Sequence, residues 1–198
     1  MIDVNSLERA NKRKTRAMQI LDELQLIQKW STVGDCYLVG ATAYNAYNLI
    51  VSPDIDMETF SEELNPDKIM KELASLINNK NVLELKFKNY MDSDFQGFYF
   101  KIIYLDNQEE WNIDMWLFSN ERQGALSKDL VPLMKKALSD TNRQAILEIK
   151  EALLQENLIY SSVYIYQAVL DYGVSNVTDF LAWTKNHNTN GLIPWKPQ

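Results

Sequence analysis

Two periodicities divide the chain. Between Cys36 and Phe118 apolar residues recur mainly at every second position, the spacing of strands buried on one face. After Gly124 they recur three and four apart, the spacing of helices. Cys36 to Val39 is a short apolar run suited to a buried strand, and Gly40 interrupts it. Ala41 to Ile50 carries Ala43, Ala46, Tyr47 and Ile50 at helical spacing, which predicts a helix stopped by Ser52-Pro53. Asp54-Ile55-Asp56-Met57-Glu58 alternates polar and apolar and reads as the next strand. Val82 to Lys88 sets Leu83, Leu85 and Phe87 against Val82, Glu84, Lys86 and Lys88, which predicts a strand with one buried face. Phe98 to Leu105 follows, and Glu110 to Phe118 places Trp111, Ile113, Met115 and Leu117 on one face and Asn112, Asp114 and Trp116 on the other. Short links through Asp92-Ser93-Asp94 with Gly97, and through Asp106-Asn107-Gln108, predict an antiparallel meander of these three strands.

Helical stretches flank this block. Residues 6–30 read as one amphipathic helix capped by Ser6, with Ala17, Leu21, Leu24 and Ile27 or Gln28 inward. Asn65-Pro66-Asp67 opens a helix whose apolar stripe runs from Ile69 to Ile77. Four more helices are predicted beyond Gly124. Ser127 caps Lys128 to Leu138, Ser139 or Asp140 caps a second through Gln155, Ser161 or Ser162 starts a third ending at Gly173, and Ser175 caps Asn176 to Lys185. The tail to Gln198, with Pro194 and Pro197, is expected to be extended, with Trp195 docked on the body. The fold class is α+β: residues 1–124 form a sheet-containing core with its N-terminal helix, and residues 125–198 form a C-terminal helical region and tail.

Composition narrows the chemistry. The 198 residues suffice for one domain with a sizeable core, or a small domain with an appendage, and 46% apolar content is ordinary for a globular chain. The apolar runs are too short to span a bilayer, and the charged N-terminus lacks a signal-peptide pattern, so a cytoplasmic location is expected. A single cysteine, Cys36, excludes an internal disulfide and a cysteine-based zinc cluster. The net charge of −7 is uneven: residues 1–34 carry six basic and four acidic side chains, residues 35–124 seven and sixteen, and residues 125–198 seven of each. The acidic middle discourages duplex DNA as a partner and attracts cations.

Side chains two apart on a strand share a face, so Asp54, Asp56 and Glu58 point one way. Adjacent carboxylates repel, and a divalent cation removes that repulsion; Mg²⁺ is held by one or two carboxylates together with waters and substrate phosphates. Asp114, between large apolar neighbours, joins the cluster if its strand pairs beside the Asp54–Glu58 strand. Other polar features read as structural. Lys12, Arg13, Lys14 and Arg16 form a solvated helix face, Asp92 and Asp94 form turns, and Tyr160, Tyr164, Tyr166 and Tyr172 pack core and rim. His187 is a loop residue. Lys101 stands between a surface lysine and a phosphate contact.

Gly40 at a strand-to-helix turn, a downstream Asp54-x-Asp56 on a strand and a lone Asp114 on a later strand resemble the nucleotidyltransferase superfamily of the DNA polymerase beta type, over Cys36 to Phe118. The resemblance implies a nucleotidyltransferase-like mixed sheet flanked by helices, followed by a C-terminal helical bundle. It implies Mg²⁺-dependent transfer of a nucleoside monophosphate from an NTP such as ATP to a hydroxyl on a small-molecule or macromolecular acceptor, with release of pyrophosphate. Asp54, Asp56 and Asp114 are then the catalytic and metal residues, for two Mg²⁺ ions, and Gly40, Ala41 and Thr42 hold the nucleotide phosphates. The chain departs from the family pattern at Ala41, where a serine or glycine is common, and in lacking a basic residue just before Asp54. The alternative is a catalytically degenerate binding or interaction protein on the same fold.

Overall fold

The computed structural model describes residues 5–44, 47–189, 191 and 194–197. Its elements are α1 (Ser6–Glu23), α2 (Leu26–Ser31), β1 (Asp35–Val39), β2 (Asp54–Ser61), α3 (Pro66–Ala74), β3 (Val82–Asn89), β4 (Gly97–Asp106), β5 (Glu109–Ser119), α4 (Ser127–Ala137), α5 (Asp140–Gln155), α6 (Ser162–Tyr172) and α7 (Val177–Thr184). Contacts gather into two units. One comprises Lys14–Ala43 and Ser52–Gln123; the other comprises Met1–Arg13, Tyr44–Val51 and Gly124–Gln198.

The first unit is built on a five-stranded mixed sheet in the order β1-β2-β5-β4-β3. β2 and β5 run parallel at its centre, β1 pairs antiparallel with β2, and β3-β4-β5 form the predicted meander. The alternation read from the sequence sorts the faces. Ile55, Met57, Phe100, Ile102, Ile113, Met115 and Leu117 are all buried. Trp30 of α2 meets Phe100 edge-on at 5.4 Å and donates its indole N–H to the Met115 sulfur at 3.0 Å. Arg16 of α1 forks onto Asp106, its Nε 2.8 Å from Oδ2, and also reaches Glu23 at 2.6 Å.

Three expectations change here. The predicted single helix over 6–30 breaks at Gln25, whose φ of +52° turns the chain; burying Leu26 and Trp30 in the core outweighs continuing one straight helix. Its cap is Asn5, whose side chain accepts the Glu8 N–H at 2.9 Å, and Ser6 is buried instead. β3 is the sheet's terminal strand with one strand neighbour, so Leu83 and Phe87 remain 51% and 42% exposed rather than buried.

The second unit carries the four C-terminal helices. Ser139 and Asn142 form a reciprocal capping box on α5, Gly173 ends α6 at φ +67°, and Asn176, rather than Ser175, caps α7 by accepting the Asp179 N–H at 3.0 Å. Leu49 and Ile50 are buried in this unit without forming a helix. The predicted helix over 41–50 is absent among the described residues: Gly40–Thr42 makes a 3₁₀ turn, the Tyr47 N–H returns to the Tyr44 carbonyl at 3.1 Å, and residues 48–50 are irregular, with Ala46 outside the described residues. Side chains of α5 pair the backbone of this stretch: Arg143 Nε donates to the Asn48 carbonyl at 3.1 Å and Lys150 Nζ to the Leu49 carbonyl at 2.7 Å, so its buried carbonyls are satisfied without a helix. Trp195 docks as expected, donating to Asp171 at 2.6 Å, while Gln198 lies outside the described residues. Among the described residues no helix is long and apolar enough to cross a membrane.

Candidate metal centre

The site starts at the entry to β2. Asp54 N–H donates to the Ser52 carbonyl and Asn112 N–H to the Pro53 carbonyl, both at 2.9 Å, so the Ser52-Pro53 turn is tied to β5 before β2 begins. Parallel pairing then sets Asp54 beside Asn112, Ile55 beside Ile113 and Asp56 beside Asp114. With Ile55, Met57, Ile113 and Met115 in the core, the period of two turns all three aspartates to the opposite face. Their carboxylate oxygens lie within 4.8 Å of one another and all three residues are half-buried. Glu58 shares their face, but it is buried beside Trp116 and stands outside the cluster.

β1 closes the site from the other side. Val39 pairs with Asp56, and the chain then turns at Gly40 with φ +66°. A Cβ on Gly40 would lie 2.1 Å from Asp56 Oδ2. Glycine is therefore required twice, by the left-handed backbone and by contact with the carboxylate. Thr42 is buried, and its hydroxyl donates to the Val39 carbonyl at 3.4 Å, so what Gly40, Ala41 and Thr42 offer outward is backbone.

β4 contributes two residues that patterning alone did not place in the site. Lys101 is the register partner of Asp114, its Nζ 3.4 Å from Oδ1, and the Tyr99 hydroxyl donates to the same oxygen at 2.5 Å. Burial raises the Tyr99 phenol well above its ordinary pKa, and the hydrogen bond to the Asp114 carboxylate adds to it. A signal for Lys101 is present in the chain. The β4–β5 turn is the two residues Asn107 and Gln108, both with positive φ. A two-residue hairpin fixes register. Counting outward from the Asp106–Glu109 pair, five steps bring Lys101 opposite Asp114.

Three oxygen donors with no sulfur or imidazole suit a hard divalent cation such as Mg²⁺. The remaining polar candidates go elsewhere. Lys12 pairs with Glu8 one helical turn away, and Asp92 and Asp94 lie in the turn before β4. Tyr164 and Tyr166 are buried, and the His187 ring stacks on Trp183 at 4.2 Å.

No protein-family model matches the sequence, and neither does any curated protein. Solved structures do. The MgGTP-bound Cid1 poly(U) polymerase aligns with a TM-score of 0.58 at 18% identity, over 81% of this chain and 50% of its own. A cytoplasmic RNA terminal U-transferase aligns at 0.56 and 18%, over 80% and 48%. The non-canonical poly(A) polymerase complex GLD-2–GLD-3 aligns at 0.51 and 14%, over 84% and 55%. The chain spans about half the length of these matched chains, and it shares their fold.

Proposed function

We propose that this chain is a Mg²⁺-dependent nucleotidyltransferase that moves an NMP from an NTP to a hydroxyl-bearing acceptor and releases pyrophosphate. The observation that carries the reading is the convergence of Asp54, Asp56 and Asp114, oxygens within 4.8 Å, on adjacent strands against Gly40. Similarity to folds solved with MgGTP and MgATP supports the same ligand class.

Asp54 and Asp56 would hold divalent cation, with Asp114 completing the set. Two such ions, when bound, neutralise charge on the attacking and leaving oxygens. Backbone N–H groups at the Gly40–Thr42 turn would hold the triphosphate. Asp114 would also accept the acceptor's hydroxyl proton. The acceptor oxygen then forms a bond to the α-phosphorus as the bond from that phosphorus to the bridging oxygen breaks, and pyrophosphate carries away the electron pair.

The acceptor is a small molecule or an accessible end of a larger one. The unit holding the site carries ten basic and eighteen acidic residues, which favours a neutral or cationic acceptor over a long polyanion. Incubation with labelled NTPs, Mg²⁺ and a panel of hydroxyl acceptors tests this. NMP transfer by the wild type and its loss in Asp56→Ala are expected. No transfer from any nucleotide would leave the non-catalytic alternative.

A further inference from the structure

Three carboxylates converge in a half-buried site, and three negative charges at that spacing repel strongly. β4 supplies one cation and one neutral donor to the same atom of this cluster. Lys101 Nζ is 3.4 Å from Asp114 Oδ1, and the Tyr99 hydroxyl donates to that oxygen. Lys101 is itself only 21% exposed. Its other register partner is Lys86, whose ammonium pairs with Glu84 at 2.6 Å, so the cross-strand neighbour on that side is a like charge. Lys101 is thereby directed toward Asp114.

We propose that Lys101 is an intrinsic counter-ion of the carboxylate cluster, standing in for divalent cation before nucleotide arrives and serving as a triphosphate contact once Mg-NTP is bound, while Tyr99 is a positioning residue that keeps Asp114 oriented in both states. The proposal rests on the metal-site reading above and extends it to the basic residue missing before Asp54. Lysine suits this role because its ammonium is a point charge on a flexible stem, free to swing from a carboxylate to a nearby phosphate oxygen. Tyrosine suits the other because a neutral donor orients the carboxylate without competing with the cation.

The two residues therefore act on free cation in opposite directions. Lys101⁺ opposes a divalent ion at the cluster, so Lys101→Met should bind Mg²⁺ alone about tenfold more tightly. Loss of orientation in Tyr99→Phe should weaken it by about three- to tenfold. With a non-hydrolysable Mg-NTP the lysine effect reverses, and Lys101→Met should bind about tenfold more weakly. The experiment is calorimetric titration of wild type, Lys101→Met and Tyr99→Phe, with Mg²⁺ and then with Mg²⁺ plus the nucleotide analogue. Thermal melts without metal serve as a second readout: Lys101→Met should melt lower than wild type, and Mg²⁺ should restore most of the difference. Unchanged or weaker Mg²⁺ affinity in Lys101→Met overturns this inference while leaving the metal site intact. A wild-type protein that binds no divalent cation overturns the site reading itself.

Discussion

Gly40 abuts the Asp56 carboxylate so closely that a methyl group added to its Cα would lie 2.1 Å from Oδ2. The glycine of the turn and the Asp56 carboxylate are thus one packed contact. Gly173, at the end of α6, has nearly the same φ, +67° against +66°, but open space where its Cβ would go. Alanine at either position should lower stability by about 1 kcal/mol through backbone strain. Only Gly40→Ala should also displace Asp56 and lose divalent-cation binding. Parallel melts and Mn²⁺ titrations of the two variants check this, and equal cation affinity in both would separate the turn from the site.

Asp114→Asn keeps the size of the side chain and removes its charge. Transfer activity should fall on the order of 10³-fold, because several kcal/mol of charge stabilisation at the reacting phosphorus depends on the intact carboxylate set. Folding should be unaffected or slightly improved, since one repelling charge is gone. Single-turnover rates with labelled NTP, set beside a urea melt, distinguish a chemical defect from a folding defect.

Arg143 is buried in the second unit, where its Nε donates to the Asn48 carbonyl and its Nη2 to the Asn11 side-chain oxygen at 2.8 Å. Burial lowers its pKa, the mark of a charge held away from water. Arg143→Leu should destabilise the protein by about 2–3 kcal/mol, because a buried carbonyl and an amide oxygen lose their donor. Limited proteolysis between residues 44 and 53 should accelerate in parallel. A melt within a degree of wild type would contradict a structural role for these two bonds.

Most of the sheet was legible because its alternation is strict. Ile55/Met57 and Ile113/Met115 can be buried together only if Asp54, Asp56 and Asp114 turn outward, so the face of the site follows from period two. Two other features were hidden for opposite reasons. The segment after Thr42 has helical spacing, yet it is held by tertiary bonds: the Asn48 and Leu49 carbonyls accept from Arg143 and Lys150, about a hundred residues away; no local pattern encodes those bonds. Lys101 is encoded locally, through the two-residue turn at Asn107-Gln108, but its role depends on register rather than on residue type. At β3 the alternation predicted a buried face that an edge position does not supply.

Acid sensitivity should centre on Glu23. The hydrogen bond from Arg16 lowers its carboxyl pKa below the ordinary value of 4.5, against the opposing effect of burial, and Tyr104 donates a further hydrogen bond at 2.8 Å. A depressed folded-state pKa gives stabilisation that is complete above the ordinary value and is lost as pH falls through the folded one. Between pH 5 and about pH 3 the wild type should therefore lose stability faster than Glu23→Gln. The difference should be up to about 1 kcal/mol, because the pair is partly exposed. Urea midpoints across that range measure it, and parallel curves for the two proteins would contradict the assignment.

We propose that Asp54, Asp56 and Asp114 together hold divalent cation for a nucleoside triphosphate. The most direct test is calorimetric titration of a non-hydrolysable NTP into wild type, Asp56→Ala and Asp114→Ala, with and without Mg²⁺. The account predicts saturable binding by the wild type only when Mg²⁺ is present, and loss of that binding in both variants while their melts remain cooperative. Nucleotide binding that ignores Mg²⁺, or that survives in both variants, would contradict it.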